Sequence, residues 1–535
     1  MSTKIKKRVK KYNRGISKAI PPSKTLQIIL KKINKLEPGI LDTYYEVKAN
    51  TKIPQYIVRG TDYYLQIVND IGRVHFSFNS NGKGHFKTEA IVSGLMEMAE
   101  RYSCLKYLFK SPKKATISSF KAKNKQYSLE DFYSNPFYRK RVQVLENKDV
   151  ESANLLWYKA STLDGKESRL PLSLICYTHE YTNGMASGNT LEEALSHGIC
   201  EVIERHCHIV VRERKLITPT INQASIRSPI VRELLDKFKA LNQKVILKDM
   251  SLGMGIPVIG AIRGTDIGRY FVTVGVAPSR EEAIIRALIE NSQIEPHVKI
   301  HVKHGIGWKK SSIQYHFKHS KIIDFKNLPN IHNINIKKEI LSLKSLLEKQ
   351  GMKIFYVDTT DSILKIPSVL VYITNAKRKS KQIGYRNIIM GVIEESLRIK
   401  DYKQAIKYIK LGEKLDPKNI ELYLFYKGLV YAFDKKYAEA VRILTKLSKK
   451  QLYELQALID IYIGICYLAL GKPDRTFEYL INNIKQYPTI KFIFIRSHHC
   501  FDANLFKDAR KIYSDLHSKL VTTNYWCSPC SFAFN

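Results

Sequence analysis

Gly94-Leu95-Met96-Glu97-Met98-Ala99-Glu100-Arg101 and, 104 residues further on, Gly198-Ile199-Cys200-Glu201-Val202-Ile203-Glu204-Arg205 are two copies of one pattern, G-x-x-E-x-x-E-R. On a helix, carboxylates at i and i+3 share a face. Two such helices facing each other bring four carboxylates into one small volume. Like charges that close cannot all ionise without a counter-charge. The residues between the glutamates are largely apolar, so the helices are expected to be buried, where an unpaired charge is costly. Mg²⁺ suits clustered hard oxygens, takes few protein carboxylates and commonly arrives with a phosphate-bearing ligand. The duplication therefore predicts a magnesium–nucleotide site carried by two helices. A single copy would read as an ordinary charged helix face. Repetition with matching Gly and Arg argues for more.

The surrounding sequence supplies turns and strands for that site. Val74 to Phe78 alternates like a strand and leads into Asn79-Ser-Asn-Gly82-Lys83-Gly84, a turn-forming segment ahead of the first carboxylate helix. Leu172 to Tyr177 reads as a strand leading through Thr182-Asn183-Gly184 and Ser187-Gly188-Asn189 to the second helix. Ile256 to Ile262 and Tyr270 to Val276 read as strands ending at a third helix, Arg280 to Gln293. A turn before a charged helix thus recurs three times in an α/β segment, with charged groups at helix starts, where backbone N–H groups favour phosphate. Upstream, Pro21-Pro22-Ser23 opens a helix to Leu36, with Ser23 as its expected N-cap.

From about residue 386 the pattern is all helical, with a period near 35. Tyr402-x-x-Ala405 returns as Tyr437-x-x-Ala440, and Gly428-x-x-Tyr431 as Gly464-x-x-Tyr467. Leu415-Asp416-Pro417 has a partner in Tyr487-Pro488, and Phe506-x-x-Ala509 opens a degenerate fourth unit. This is the tetratricopeptide pattern of stacked helical hairpins. Its use is either a concave surface for a protein partner or a structural prop. The expected organisation is a basic leader over 1–60, an α/β domain over 61–385, an all-α tetratricopeptide-repeat domain over 386–520 and a tail over 521–535.

The 535 residues include 88 Lys and Arg against 49 Asp and Glu, a formal charge of +39. The lysines are dispersed through a chain also rich in Ile, Asn and Tyr, so the charge reads as codon bias, as a nucleic-acid or ribosome partner, or as attraction for an acidic protein substrate. No helix gathers Arg and Lys with Asn and Gln for base readout, so no sequence-specific nucleic-acid partner is expected. Any binding to nucleic acid should be weak and salt-dependent. No apolar run spans a bilayer, and the first residues, Lys4-Ile-Lys-Lys-Arg8, lack the apolar core of a signal peptide. Eight cysteines make no disulfide scaffold, so the expected setting is a reducing cytoplasm. Cys527-x-x-Cys530, with His498-His499-Cys500, has zinc-ligand residue types without finger spacing and reads as a frayed tail. Cys200 and Cys207 read as core-facing. The 306–330 segment, with Trp308-Lys309-Lys310, reads as a substrate loop or a surface insertion.

Together these residues resemble the YcaO superfamily, proteins that use ATP to activate peptide backbone amides. The resemblance rests on three ordered motifs. The first is Gly82-Lys83-Gly84 with Ser93-x-x-x-Glu97-x-x-Glu100-Arg101. The second is Ser187-Gly188-Asn189-Thr-Leu-Glu192-Glu193-Ala194 with Glu201-x-x-Glu204-Arg205. The third is Arg286-x-x-x-Glu290-x-x-Gln293. It implies an α/β YcaO-type nucleotide-binding domain with ATP and Mg²⁺ as cofactors. It also implies that Glu97, Glu100, Glu193, Glu201 and Glu204 hold the metal, while Lys83, Ser93, Asn189, Arg205, Arg286 and Glu290 contact the nucleotide. No protein nucleophile is implied. The leader, Lys11-Tyr-Asn-Arg-Gly15 through Ala19-Ile-Pro21-Pro22-Ser23-x-Thr25-Leu26, resembles YcaO proteins that act with a TfuA-like partner to make thioamides. The helical tail instead resembles the enterobacterial YcaO protein that assists methylthiolation of a ribosomal protein. The C-terminus, Ser531 to Asn535, lacks the proline-rich tail of azoline-forming members. Thioamide synthesis, the accessory role, azoline formation and, outside enzymology, a non-catalytic repeat adaptor all stay open. The implied partners are a peptide or protein substrate, a TfuA-like sulfur-delivery protein, a protein held by the repeats, and a second copy of the chain in a homodimer.

Overall fold

The computed structural model describes residues 5–36, 40–60, 65–69, 72–76, 79–110, 115–119, 152–171, 182–264, 268–293, 307–377, 385–448 and 456–486. The chain forms two compact units. One comprises Met1–Thr61, Ser77–Ser152 and Leu156–Tyr385. The other comprises Asp62–Phe76, Ala153–Leu155 and Arg386–Asn535.

The first unit is built around long helices laid on antiparallel sheets. Its strands are β1 (Tyr12–Arg14), β2 (Ile16–Lys18), β3 (Leu41–Glu46), β4 (Gln55–Gly60), β5 (Ser80–Lys83), β6 (Leu155–Thr162), β7 (Glu167–Leu170), β8 (Met185–Ser187), β9 (Thr220–Asn222), β10 (Val245–Asp249), β11 (Val258–Gly264), β12 (Arg269–Val276), β13 (Trp308–Lys309), β14 (Ile322–Asp324), β15 (Ile354–Asp358) and β16 (Ser368–Ile373). Its helices are α1 (Pro22–Ile33), α2 (Lys87–Lys110), α3 (Leu191–Arg214), α4 (Pro229–Lys239), α5 (Arg280–Gln293) and α6 (Ile336–Glu348). One small sheet runs β3-β4-β5. A larger one runs β7-β6-β15-β16-β8, with the strand Ala115–Ser118 also pairing with β6, and another runs β13-β12-β11-β10-β9-β14. Only β9 and β14 pair in parallel among the registers described.

Helix α3 lies between the two larger sheets, and its apolar residues pack against both. Ile199, Val202, Ile203, Cys207 and Val211 are buried in one core with Val274 and Val276 of β12 and Val369 and Val371 of β16. That pattern suits a helix covered on both sides. Thr190 caps its start, accepting from the Glu193 N–H, and Lys215 ends it in the left-handed conformation. Cys200 and Cys207 face this core, as expected from their spacing.

The glycines set how closely strand and helix approach. A Cβ on Gly82 of β5 would lie 2.0 Å from the Ala90 carbonyl oxygen and 2.7 Å from the Gly94 nitrogen, so α2 rests directly on the strand backbone. Gly188 and Gly275 meet Ala194 and Ala287 in the same way, at 2.6 and 2.4 Å from their nitrogens. Each of the three helices is seated on the strand before it by an absent side chain. Buried Arg263 of β11 ties that strand to α5, donating to Asn291 Oδ1 at 2.6 Å, and also donates to Gln243 Oε1 at 2.7 Å.

Several local expectations are corrected. Asn79–Gly84 is not a turn: Ser80–Lys83 is a strand paired with β4, because its N–H and C=O groups find a partner and Gly82 admits the helix above. Ser23 does not cap α1. Pro21 is the N-cap and Pro22 the first helical residue, where its missing N–H costs nothing. The 306–330 segment is no free loop in its described part. Trp308–Lys309 pairs with β12, and Ile313, Tyr315 and His316 are buried. The Leu172–Tyr177 strand, the Tyr487-Pro488 and Phe506 repeat signals, and Cys527/Cys530 lie outside the described residues.

The second unit contains α7 (Tyr385–Arg398), α8 (Tyr402–Leu415), α9 (Ile420–Phe433), α10 (Tyr437–Ser448), α11 (Gln456–Ala469) and α12 (Pro473–Gln486), with a hairpin of Leu65–Asn69 and Gly72–Phe76. From α8 on, each helix packs on the next. Close approach again uses glycine: Gly412 faces the Tyr423 ring and Gly428 the Leu444 side chain. Among the described residues no helix is long and apolar enough to cross a membrane.

Gly82→Ala should lower stability by roughly 1–3 kcal/mol, because the clash is with backbone rather than a flexible side chain. Thermal denaturation checks this. An unchanged melting temperature would show that α2 is not seated on β5 as described.

Candidate functional site

Helices α2, α3 and α5 converge on one cavity of about 360 Å³, α2 and α3 along their first two-thirds and α5 along its second half rather than at its start. All eleven residues singled out from sequence line it: Glu97, Glu100, Glu193, Glu201 and Glu204, with Lys83, Ser93, Asn189, Arg205, Arg286 and Glu290.

Burial gives the carboxylates their character. Glu100 is 9% exposed. Burial, then the charges of Glu201 and Glu97, hold its carboxyl well above the usual range despite Arg101 and the Ser187 N–H. Burial, with Glu204 and Glu97 adding to it and Arg205 opposing, pushes Glu201 up to about 8. Glu204 is pushed to about 7, again by burial first. The repulsion foreseen from the repeated motif is thus present, and protons relieve it near neutral pH.

Cations stand at the rim. Glu97 accepts from Arg101 at 2.5 Å, and Arg101 also reaches the Asn79 carbonyl. Arg205 lies 3.9 Å from Glu201. Lys83 pairs with Glu290 and lies 3.4 Å from Gln293 Oε1, tying β5 to α5. Burial opposes the Lys83 charge, but Glu290 and Glu97 outweigh it and raise its pKa. Arg286 donates to Glu282 at 3.0 and 3.2 Å, and that pairing holds the Glu282 carboxyl below its usual range against the cost of burial.

Glu193 and Asn189 have structural partners. Glu193 accepts from the Asn189 N–H at 2.8 Å, the Asn189 side-chain amide at 2.9 Å and the Ala19 N–H. The Thr25 hydroxyl donates to Asn189 Oδ1 at 2.9 Å. Glu89 plays the matching part on α2, accepting from the N–H groups of His85 and Phe86 and from the Tyr12 hydroxyl. The leader is thereby stitched along the site, and Ile16, Lys18, Pro22 and Thr25 form one wall of the cavity.

Three titratable wall residues stand apart from the motifs read in the sequence. They are Lys18 from the leader, Glu89 and His197. Glu89 stands 104 residues before Glu193, inside the longer repeat Gly84…Glu89-Ala90 and Gly188…Glu193-Ala194, so extending the quoted motif upstream finds it. The same alignment sets His197 against Ser93. Burial first, then Arg286, Lys18 and Lys83, keep that imidazole neutral, well below its ordinary pKa.

The donor set fits Mg²⁺. It is hard oxygen, and burial keeps the Cys200 thiol at about 12, so no thiolate competes. Among the described residues no three His, Cys, Asp or Glu side chains are gathered tightly enough to grip an ion alone. Phosphate oxygens completing the shell suit this ion.

Comparison with known proteins bears on the same region. Residues 81–376, more than half the chain, match the family model described as YcaO cyclodehydratase, ATP- and Mg²⁺-binding. A Methanothermobacter thermautotrophicus protein is 25% identical over 338 residues, 56% of this chain and 84% of that protein. A Rhizobium leguminosarum bv. trifolii protein described by its place in the tfuA 3′ region is 32% identical over 84 residues, 15% of this chain and 20% of its own length. Among solved structures, a heterocyclase in complex with substrate and cofactor aligns with TM-score 0.60 and 19% identity over 71% of this chain. The chain spans about half of that heterocyclase, 55% of its length. YcaO from Methanopyrus kandleri bound with AMPPCP and Mg²⁺ aligns with TM-score 0.53 and 20% identity, over 69% of this chain and 95% of that one. At these identities the structures speak for the fold.

A pH signature follows. Glu201 and Glu204 bind protons more tightly folded than unfolded, so their contribution to stability is full below about pH 4.5 and is lost as pH rises through 7 to 8. Glu201→Gln should therefore stabilise the nucleotide-free protein at pH 8 by roughly 1–3 kcal/mol, with little gain near pH 5. Melting curves at the two pH values check it. A variant less stable than wild type at pH 8 would contradict the reading.

Proposed function

The chain belongs to the YcaO family, an ATP- and Mg²⁺-binding family, and on that premise we propose that it activates a backbone amide of a peptide or protein by O-phosphorylation, with a thioamide as the product. The observation that carries the reading is the convergence of Glu97, Glu100, Glu201 and Glu204 from two helices into a cavity that also holds Lys83 and Arg286.

In this reading a sulfide equivalent adds to the amide carbonyl carbon, and the C=O π pair moves to oxygen. That oxyanion takes the γ-phosphoryl group of ATP, leaving ADP. The nitrogen lone pair then expels phosphate with the former carbonyl oxygen, and loss of the sulfur proton leaves C=S. No protein nucleophile is needed, so the residues position and neutralise. Bound Mg²⁺ supplies charge neutralisation across the phosphates. Glu97, Glu100, Glu201 and Glu204 would offer it oxygens, with Glu193, which also lines the cavity, joining them. Arg286 and Arg205 offer forked donors to phosphate. Lys83, Ser93, Asn189 and Glu290 fix the nucleotide, Glu290 through Lys83. Asn189 does so after exchanging one of its present partners.

The thioamide product is supported by the leader and by the short match to the tfuA-region protein. A TfuA-like sulfur-delivery partner belongs to the same reading. Azoline formation is the second reading, favoured by the family description as cyclodehydratase. There the nucleophile is a side chain of the substrate and water is lost. We assign 1–60 to the leader, 61–385 to the catalytic domain, 386–520 to tetratricopeptide repeats that hold a protein partner, and 521–535 to a tail. The sequential packing of α8 to α12 supports the repeats.

Glu97→Gln and Glu204→Gln should abolish substrate-dependent phosphate release while leaving circular dichroism unchanged. Full turnover in both variants would remove the metal-site reading. Mass spectrometry of the modified peptide should show oxygen replaced by sulfur; loss of water would select azoline formation.

A further inference from the structure

A second opening lies on the sheet that carries β12, lined by β9, β10, α4 and the 316–322 segment. It is a cleft of about 1090 Å³ and shares no lining residue with the nucleotide cavity. Its charge is one-sided. Arg232, Lys239, Lys244, Lys248 and Lys318 line it, and Asp236 is the one carboxylate among the lining residues.

Two buried groups mark this as more than a basic surface. Lys248 is 1% exposed, and its ammonium donates to the Thr218 carbonyl at 3.1 Å, Thr220 Oγ1 at 2.8 Å and Ser320 Oγ at 3.1 Å. All three acceptors are neutral, so the charge is buried with its hydrogen bonds made but, among the described residues, no counter-ion beside it. Such a charge is costly and favours an incoming anion. Lys248 also orders the cleft hydroxyls. Thr220 Oγ1 and Ser320 Oγ are 2.9 Å apart and both accept from the ammonium, so one hydroxyl proton is shared and the other is free to donate. His316 lines the same cleft at 2% exposure, and its Nδ1 has no hydrogen-bond partner among the described residues.

The shape selects the kind of anion. β14 (Ile322–Asp324) is the last strand of its sheet among the described residues, and Ile322, 68% exposed, lines the cleft. An edge strand offers backbone groups to an extended chain, and an exposed aliphatic residue offers it a side-chain contact. Nucleic acid is disfavoured because, among the described residues, the cleft presents no free Phe, Tyr or Trp ring for a base to stack on. Its one aromatic ring besides the histidines, Phe317, is already set edge-on to Tyr270 at 5.1 Å and carries Lys310 above it.

We propose that this cleft binds an extended acidic peptide segment that pairs along β14 with its carboxylates on Lys239, Lys244 and Lys318 and at the Lys248 hydroxyl cluster. The assignment stands apart from the nucleotide cavity and survives its failure.

The test uses the full-length protein and a fluorescein-labelled peptide of alternating glutamate and valine, read by anisotropy at physiological salt. Reversal of Lys239, Lys244 and Lys318 to Glu should weaken binding about tenfold or more, as loss of several complementary charges does. Reversal of Lys338, Lys349 and Lys353, exposed away from the cleft, should leave it within about twofold, which discounts the overall positive charge. Lys248→Met removes the buried charge while keeping the stem. It should melt no lower than wild type, yet bind the peptide several-fold more weakly. Equal losses in the two triple variants, undiminished binding in Lys248→Met, or tighter binding of a single-stranded RNA of equal charge than of the peptide would each overturn the proposal.

Discussion

Repulsion among buried carboxylates is the constraint on which this structure turns. Glu100, Glu201 and Glu204 share one cavity with Glu97, and burial with mutual charge holds the first three above the ordinary carboxylate range. A fold built for stability alone would not place them there. Protons relieve the arrangement in the free protein, and under the function proposed above a divalent cation arriving with a phosphate ligand would do the same. The nearby guanidinium and ammonium groups are already paired, Arg101 with Glu97, Arg286 with Glu282 and Lys83 with Glu290. They frame the cavity without cancelling its centre.

The backbone serves that constraint. Gly82, Gly188 and Gly275 let three helices rest against three strands, so the carboxylates arrive on rigid elements rather than loops. Three N-terminal carboxylates, Glu89, Glu193 and Glu282, hold the turns before the helices or the arginine one turn on. Two of them also fasten the leader, through Tyr12 and Ala19. The leader is therefore part of the site, and its fixed path explains how a segment distant in sequence comes to wall the cavity.

Much of the site was legible because the chain writes it twice at one interval. The matching Gly, Glu and Arg positions located the two helices, and the three motifs brought every named residue to one cavity. What escaped was what periodicity does not encode. Asn79–Gly84 has turn composition, but strand β4 overrides it by supplying hydrogen bonds. Ser23 has the better capping side chain, yet Pro22 fits the first helical position and moves the start upstream. Lys18 joins the site through tertiary contacts of the leader, whereas Glu89 lay within reach of the same 104-residue interval. The basic cleft around Lys248 was hidden because its lysines are scattered in sequence and meet only across β9, β10, α4 and the strand at Ile322.

Under the function proposed above, the carboxylate cluster exchanges protons for Mg²⁺ when nucleotide binds. Titration calorimetry with a non-hydrolysable ATP analogue and Mg²⁺ at pH 7, repeated in buffers of different ionisation enthalpy, measures that exchange directly. The account predicts Mg²⁺-dependent binding with net proton release, diminished in Glu201→Gln. Binding that needs no Mg²⁺, or that takes place with no change in bound protons, would contradict it.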